Sequence, residues 1–142
     1  SLRYFTVYGP RQRPDMAFYK FIRAILKGEE IIIYGDGRQT RDFTYIDDAV
    51  KANLLVMEKN CSGEVFNIGG GTRTEVNEVM ILLERLLRKK VVVRHINPQE
   101  GDMRDTLADI AKARTLLNYN PSFDLEEGLK REIEWLREVI GL

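Results

Sequence analysis

The stretch LRYFTVYGPRQRPDM at residues 2–16 decides the fold, because an apolar run breaks there into a loop that is rich in Arg and punctuated by Gly and Pro. The stretch YGDGRQTRDFTYIDD at residues 34–48 repeats the arrangement at the end of a second apolar run. Aromatic and β-branched runs that end at Gly or Pro are typical of strands. The loops behind them place fixed positive charge where the backbone can approach a ligand. We therefore predict a site for a phosphorylated or carboxylated small molecule.

Strands and helices alternate along the rest of the chain. Strands are predicted at residues 3–8, 30–34, 64–68 and 91–96. Helices are predicted between and after them, with a C-terminal cap at Gly28 and N-terminal caps at Asp47, Thr74, Asp109 and Asp124. The helix behind Asp47 carries Val50, Leu54 and Met57 on one face. This alternation indicates an α/β fold.

Composition excludes several classes of partner. The 142 residues suit one domain, and Lys+Arg and Asp+Glu are balanced at 22 each, so the chain has no overall field for nucleic acid or an anionic membrane. No apolar run approaches the roughly 20 residues that a membrane span needs. Cys61 is the only cysteine, which rules out an internal disulfide and favours a cytoplasmic location. The chain begins directly in a strand-like run, so we expect it to be part of a longer protein.

Taken alone, the polar loops allow two interpretations. Arg11 and Arg13 can fork onto an anion at the end of a strand, although the residues alone favour two solvated side chains. Arg38 and Arg41 can grip a diphosphate or belong to a surface loop with a solvated Asp42, and composition favours neither. The glycines at 69–71 do not fit a phosphate-binding pattern and are better interpreted as a flexible turn.

Two further polar residues follow the last predicted strand or lie in it. Asp102 can accept hydrogen bonds from sugar hydroxyls, although an ordinary loop carboxylate is the simpler interpretation. His95 has no Cys or His near it in sequence, so we predict no metal site. Cys61 is interpreted as structural.

Five spaced motifs, taken in order, resemble the C-terminal part of the extended short-chain dehydrogenases that act on nucleotide sugars. They lie at residues 3–10, 35–48, 66–69, 101–113 and 117–121. The resemblance is strongest to UDP-sugar 4-epimerases, and FTVYGP at 5–10 followed by RPDMA at 13–17 is similar to the UDP-glucuronate branch. It implies that residues 1–142 form the C-terminal, UDP-sugar-binding portion of such an enzyme, without the N-terminal NAD-binding Rossmann domain.

The resemblance also implies roles for individual residues. The substrate-binding positions are Thr6, Arg13, Tyr34, Arg41, Gln99 and Asp102. Arg41 matches the arginine that contacts the diphosphate, and the backbone of Tyr34 matches the group that reads the uracil. Gln99 and Asp102 match the pair that contacts the distal phosphate and the ribose; relatives often have Arg in place of Gln99, and Arg11 or Arg38 can supply the missing charge.

At the sugar end, Thr6 and Arg13 match the residues that hold a glucuronate carboxylate. A hydroxyl and a bidentate guanidinium can both donate hydrogen bonds to a carboxylate. Tyr4 matches a position whose backbone approaches the nicotinamide of NAD. The family's Gly-rich loop and its catalytic Tyr-x-x-x-Lys pair lie upstream of Arg3, and no Tyr here is followed by Lys four residues on. We therefore expect no catalytic residue in this chain, NAD held mainly by the missing domain, and a homodimer for the full-length enzyme.

The expected activity is that of a UDP-sugar 4-epimerase, with UDP-glucuronate favoured as substrate and transient oxidation at C4 by NAD. Alternatives within the family are UDP-glucose 4-epimerase, a nucleotide-sugar 4,6-dehydratase and UDP-glucuronate decarboxylase. A noncatalytic nucleotide-binding module is the alternative from another class.

Overall fold

Strands and short helices alternate through residues 1–141, which are the residues that the computed structural model describes. The strands are β1 Leu2–Tyr4, β2 Val7–Tyr8, β3 Ile31–Tyr34, β4 Thr40–Asp42, β5 Thr44–Tyr45, β6 Phe66–Ile68, β7 Arg73–Glu75 and β8 Val93–Ile96. The helices are α1 Ala17–Lys27, α2 Ile46–Glu58, α3 Val76–Leu87, α4 Ala111–Leu117 and α5 Leu125–Ile140. The predicted α/β class is confirmed. Within these residues, no helix combines the length and the apolar character that a membrane crossing requires.

The strands pair as short two-stranded ladders within the described residues. Three ladders are parallel: β1 with β6, β2 with β5, and β3 with β8. The fourth, β4 with β7, is antiparallel. A parallel pair needs a crossover connection, and the helices between the paired strands supply it. The carboxyl ends of β3 and β8 therefore lie side by side, with Tyr34 opposite Ile96.

Two apolar cores support these ladders. The larger core packs α1, α3 and α5 against β2 and β3, around buried side chains that include Phe18, Ile22 and Leu83. The smaller core packs α2 and α4 against β6, around Phe66 and Leu117.

The single strand predicted at residues 3–8 is wrong, because the chain breaks at Thr6. Thr6 has φ 20°, which a β-branched residue rarely adopts and which interrupts an extended strand. Thr44 fixes the break: its hydroxyl donates to the carbonyl of Phe5, and its N–H donates to the carbonyl of Thr6 at 3.1 Å. β1 therefore pairs with β6, and β2 pairs with β5.

Two of the predicted helix caps are confirmed. Asp124 is the N-cap of α5, and its Oδ1 accepts a hydrogen bond from the N–H of Glu127 at 2.8 Å. Gly28 ends α1 in the left-handed conformation, with φ 71°. The Asp124 side chain and the Gly28 backbone N–H satisfy helix-terminal groups in the way their sequence positions predict.

Three other predicted caps are wrong by one or two residues. α2 follows Tyr45, so Asp47 lies inside its first turn. α3 follows Glu75, whose side chain forms a reciprocal capping box with Glu78, and Thr74 lies in β7. α4 follows Ile110; Asp109 lies one residue earlier, and its Oδ1 accepts from the N–H of Ala111 at 3.0 Å.

The apolar face predicted on α2 does not face either core. Val50, Leu54 and Met57 are all exposed, Met57 to 81%. α2 instead packs through small residues, Ala49 and Ala52. Scattered exposed apolar residues are common on proteins, but three in succession on one helix leave a continuous open stripe in this chain.

Asp42 is fully buried rather than solvated, and it joins two distant turns. Its Oδ1 accepts from the N–H of Gly70 at 2.7 Å, and its Oδ2 accepts from the N–H of Ala108 at 3.0 Å. Burial raises the pKa of this carboxyl, and the backbone donors oppose that rise. A side chain at Gly69 would approach the same carboxylate to 2.5 Å. The glycine turn is therefore held by Asp42 rather than flexible.

Replacing Asp42 tests this role. Asp42→Ala leaves two buried N–H donors without their acceptor, so we expect a loss of roughly 2–5 kcal/mol in the free energy of unfolding. Asp47→Ala is the matched control, because Asp47 is exposed and its ion pair with Arg131 spans 3.6 Å. It is expected to lose less than about 1 kcal/mol. Urea unfolding measures both, and equal losses would contradict the assignment.

Candidate active-site cleft

A cleft with two lobes opens at the carboxyl ends of β3 and β8, where the loops behind several strands converge. The two lobes share Tyr34, Gln39 and Asp102. The lobe beside α1 has a volume of about 310 Å³ and the lobe beside β8 about 570 Å³. Ligands of open α/β sheets bind at such strand ends. These are called the α1 lobe and the β8 lobe below.

The α1 lobe combines charged groups with an apolar wall. Its polar residues beyond the shared three are Thr6, Asp15, Lys20 and Arg41. Its wall includes Phe18, Phe21, Phe43 and Val79. A lobe of this kind can hold a polar ring against an apolar surface and place cations on its anionic substituents.

The β8 lobe is wider and is bounded by the segment that follows β8. Its residues include His95, Pro98, Met103 and Arg104. The Nδ1 of His95 lies 2.8 Å from the carbonyl oxygen of Gly35, which ties the end of β8 to the turn behind β3. The apolar side chains of Pro98 and Met103 line this space and can pack against a planar ring.

Arg41 lines the α1 lobe next to Asp102, which borders both lobes, and its orientation is fixed. Its Nη1 donates to the carbonyls of Thr40 at 2.9 Å and Arg104 at 3.1 Å, and its Nη2 donates to Asp102 Oδ1 at 2.6 Å. The side chain is 18% exposed. The interpretation of Arg41 as a solvated loop residue is therefore wrong. A guanidinium held in this way is ready to meet an anion without first losing rotamer freedom.

The turn at residues 35–37 is held on both sides. The N–H of Arg38 donates to Asp36 Oδ1 at 3.0 Å, and this hydrogen bond, with the nearby Arg104, lowers the pKa of Asp36. Asn77, in the first turn of α3, donates its side-chain amide to the carbonyl of Asp36 at 3.1 Å. Its own N–H donates to the carbonyl of Gly37 at 2.9 Å. The turn therefore presents a fixed backbone to the cleft.

Comparison with known proteins agrees with this geometry. The family model described as "NAD dependent epimerase/dehydratase family" matches residues 1–69. A UDP-glucuronate 4-epimerase of Thermodesulfobacterium geofontis is 45% identical over 142 residues, covering 99% of this chain and 44% of the relative. The chain belongs to the NAD-dependent epimerase/dehydratase family. The family predicted from the five spaced motifs is thereby confirmed.

Solved structures of family members superpose closely on this chain. A UDP-glucuronic acid 4-epimerase from Bacillus cereus, in complex with UDP-glucuronic acid and NAD, has a TM-score of 0.93 at 43% identity and is matched over 97% of this chain and 45% of its own. A UDP-glucose 4-epimerase from Thermotoga maritima, with UDP-glucose, has a TM-score of 0.89 at 44% identity, over 98% and 46%. The chain thus spans less than half the length of the family members it matches.

Four of the six predicted substrate-binding residues border the cleft. They are Thr6, Tyr34, Arg41 and Asp102. The carbonyl of Tyr34 already accepts from Gln39 Nε2 at 2.8 Å, and a carbonyl has a second lone pair for a ligand.

Three predicted residues lie outside the cleft lining. Arg13 pairs at 3.3 Å with Asp15, which does line the α1 lobe. Gln99 lies in an exposed turn, where its carbonyl accepts from the N–H of Asp102 at 3.2 Å. Tyr4 lies at the carboxyl end of β1 with 43% of its surface exposed.

The sequence reasoning missed two cations of the cleft, Lys20 and Arg104. Lys20 is an exposed residue among the apolar positions of α1, and that pattern alone is typical of any surface helix. Arg104 follows Asp102 by two residues and reaches Asp36 at 3.4 Å. Neither Arg11 nor Arg38 lines the cleft, so Arg104 is the better placed residue to supply the charge that Gln99 lacks.

A pair of glycine substitutions tests whether the turn at 35–37 is set by Asn77. Gly37→Ala puts a Cβ 2.0 Å from Asn77 Oδ1 at φ 76°, so both the conformation and the contact oppose it. Gly63→Ala at φ 80° meets no atom within 4 Å among the described residues, so it carries the conformational cost alone, about 1–2 kcal/mol. We expect Gly37→Ala to destabilise the fold by roughly 1–3 kcal/mol more in urea unfolding. Equal losses would show that Asn77 moves aside freely.

Proposed function

We propose that this chain is the C-terminal, substrate-binding part of a UDP-glucuronate 4-epimerase that works by transient NAD-mediated oxidation at C4. The observation that carries the proposal is the fixed position of Arg41 in the α1 lobe, bound to Asp102, which borders both lobes. A UDP-sugar has a diphosphate between a nucleoside and a sugar. The similarity to UDP-glucuronate 4-epimerases supports the choice of reaction.

Different residues of the cleft bind different parts of the UDP-sugar in this proposal. The β8 lobe takes the uracil and ribose, with the Tyr34 backbone at the base and Asp102 accepting from a ribose hydroxyl. Arg41 takes the diphosphate, and Lys20 adds a second positive charge in the α1 lobe. The sugar then lies towards Thr6. Holding the nucleotide firmly lets the sugar turn after oxidation while its attachment stays in place.

NAD would supply a reversible hydride acceptor for C4. The carboxyl end of β1, at the half-exposed Tyr4, offers a surface to such a cofactor, on the usual side of a parallel strand pair for nucleotide binding. The Tyr4 hydroxyl donates to Asn53 Oδ1 at 2.8 Å, which fixes the side chain, and the Tyr4 backbone would be the contact for the nicotinamide. The remaining cofactor contacts, and the general base, belong to the part of the enzyme outside this chain.

Thr6 and Arg13 are the proposed ligands of the sugar carboxylate. Thr6 already lines the α1 lobe, and Arg13 is one ion pair away from it through Asp15. That exposed ion pair is weak, so a carboxylate in the lobe can compete for the guanidinium. A held carboxylate also resists loss as carbon dioxide once the neighbouring C4 is a ketone.

A UDP-glucose 4-epimerase is the second candidate. It is favoured by the position of Arg13, which pairs with Asp15 rather than lining the α1 lobe. The UDP-glucose 4-epimerase from Thermotoga maritima is as similar in sequence, at 44% identity. The two candidates differ only in what fills the sugar end of the α1 lobe.

Location and assembly follow from the resemblance. We infer a cytoplasmic enzyme, supported by the single free cysteine, Cys61. We infer a homodimer for the full-length enzyme, on the resemblance alone.

Substituting Arg41 tests the diphosphate site. Arg41→Ala in the full-length enzyme removes a charge-assisted hydrogen bond worth roughly 1.5–3 kcal/mol, so the dissociation constant for UDP is expected to rise about tenfold or more. Arg38→Ala is the matched control, because Arg38 is exposed outside the cleft lining. Isothermal calorimetry measures both, and an unchanged UDP affinity in Arg41→Ala would exclude Arg41 as the phosphate ligand.

Substituting Arg13 tests the sugar. Arg13→Ala is expected to reduce turnover of UDP-glucuronate by roughly tenfold or more while leaving UDP binding and the weak turnover of UDP-glucose nearly unchanged. The fraction of decarboxylated pentose product is expected to rise. A product assay on both substrates measures these effects, with Arg11→Ala as the control. Equal proportional losses on the two substrates would favour the UDP-glucose 4-epimerase.

A further inference from the structure

Glu132 is a fully buried carboxyl on α5 that the proposed binding scheme does not use. Its Oε2 accepts from the N–H of Gly9 at 3.0 Å. Its Oε1 has no hydrogen-bond partner within the described part of the chain. A buried carboxyl with a single donor is costly to keep for packing alone, since an apolar residue of similar size would fill the space without that cost.

The bond from Glu132 is part of a clamp between α5 and the end of β2. Tyr8 lies against Gly128, one turn before Glu132, where a Cβ would come within 2.2 Å of the Tyr8 hydroxyl. That hydroxyl donates to the carbonyl of Asp124 at 3.3 Å. Tyr8 and Gly9 are therefore fixed to α5 by two consecutive contacts, although more than a hundred residues separate them from the helix in sequence.

The clamped residues lie in the middle of the segment that serves the sugar end of the cleft. This segment, residues 6–13, contains three unusual backbone positions: Thr6 at φ 20°, Gly9 at φ 135° and Arg11 at φ 70°. Such conformations persist only where surrounding contacts hold them. Gln12 holds one side, donating its N–H to Gly9 O at 3.1 Å and its side chain to Val7 O at 3.1 Å. Glu132 holds the other side from the core.

We propose that Glu132 is a positioning residue for substrate: by fixing Gly9 it holds the 6–13 segment so that Thr6 and Arg13 meet the carboxylate of a UDP-uronic acid. The proposal rests on the function proposed above and adds to it the residue that aligns the carboxylate site from behind. Glu132 touches no substrate atom and acts through the backbone of Gly9.

Because Glu132 can ionise, its positioning role is expected to depend on pH. Burial raises the pKa of Glu132 to about 8, with the Gly9 hydrogen bond opposing the rise. The titratable groups around the clamp are Tyr8, Tyr45, Asp48 and Asp124, and burial of Tyr8 also raises its pKa. None of these is a cation that would stabilise a buried carboxylate. Helices α1 and α3 pack against α5 with apolar side chains, and the ion pair between α3 and α5, Arg85 with Glu126, is exposed.

The sign of the effect follows from the raised pKa. Below the ordinary pKa of a glutamate, Glu132 is neutral in both the folded and the unfolded chain, and its contribution to the free energy of unfolding is fully present. That contribution is progressively lost as pH rises from this ordinary pKa through about 8. Ionisation favours states in which water reaches the carboxylate, and these loosen Gly9 and the 6–13 segment. Glu132→Gln keeps an acceptor for the Gly9 N–H and cannot ionise.

The binding test compares UDP-glucuronate with UDP-glucose, which has the same diphosphate and no carboxylate. Calorimetry is done on the chain about 1.5 pH units below and above the Glu132 pKa of about 8. In the parent, we expect the preference for UDP-glucuronate, measured as the ratio of the two dissociation constants, to fall roughly tenfold as pH rises. A change of this size corresponds to the loss of one charge-assisted hydrogen bond. The preference for UDP-glucuronate is expected to be the same at both pH values in Glu132→Gln and to be low at both in Glu132→Met. Glu134→Gln, an exposed change on the same helix, behaves as the parent.

A second measurement needs no sugar. In amide NMR, the Gly9, Thr6 and Arg13 resonances of the parent are expected to titrate with a midpoint near the Glu132 pKa of about 8, and to lose that step in Glu132→Gln. A Gly9 amide without this step in the parent would overturn the proposal. So would a Gly9 step combined with a UDP-glucuronate preference that is the same at both pH values.

The two measurements also separate this proposal from the proposed function. A parent that titrates at Gly9 but binds UDP-glucose and UDP-glucuronate equally at both pH values would overturn the assignment of the carboxylate, and with it the positioning role. A clear preference for UDP-glucuronate with no step at Gly9 would leave the proposed function standing and remove Glu132 from it.

Discussion

The buried carboxylate of Asp42 is the interaction on which the rest of the structure depends. Successive side chains of a strand point to opposite faces, so β4 sends Asp42 inward and Arg41 towards the cleft. Inside, Asp42 binds the turn behind β6 through Gly70 and the segment ahead of α4 through Ala108. Outside, Arg41 lines the α1 lobe beside Asp102. The position of Arg41, the proposed diphosphate ligand, is therefore set by a contact in the core.

Buried carboxyl groups connect the short ladders of this chain to distant parts of its backbone. The ladders here have only two strands each within the described residues, and side chains link them. Asp48 accepts from the N–H and hydroxyl of Ser122, both at 2.9 Å, and from the N–H of Phe123 at 3.2 Å. Glu132 binds Gly9 in the same way. Each carboxylate joins an element of the chain to backbone far away in sequence.

The sequence predicts those parts of the fold that depend on local physics. The alternation of strand and helix, the Gly28 cap and the Asp124 cap each follow from a few neighbouring residues. The break at Thr6 depends on Thr44, which is remote in sequence, so a run of aromatic and β-branched residues is interpreted as one strand. β4, β5 and β7 are too short and too polar for periodicity to detect.

The same distinction applies to the cleft. The spaced motifs predict Thr6, Tyr34, Arg41 and Asp102, and these residues do border one space. Charge composition treats Asp42 and Glu132 as surface residues, because acidic side chains are seldom fully buried and their backbone donors are distant in sequence. Lys20 could not be predicted, because the local sequence around a lysine on a helix is the same whether the lysine is solvated or contacts a ligand.

The ion pair between Arg41 and Asp102 has a consequence for which molecules the cleft admits. Before a ligand arrives, the centre of the cleft is close to neutral, so its long-range attraction for anions is modest. A simple inorganic anion must compete with Asp102 for Arg41 and leaves that carboxylate without a donor. A nucleotide sugar brings an anion for Arg41 and hydroxyl donors for Asp102 together, so both partners stay satisfied. The pair thus acts as a filter that discriminates by the arrangement of ligand groups rather than by ligand charge.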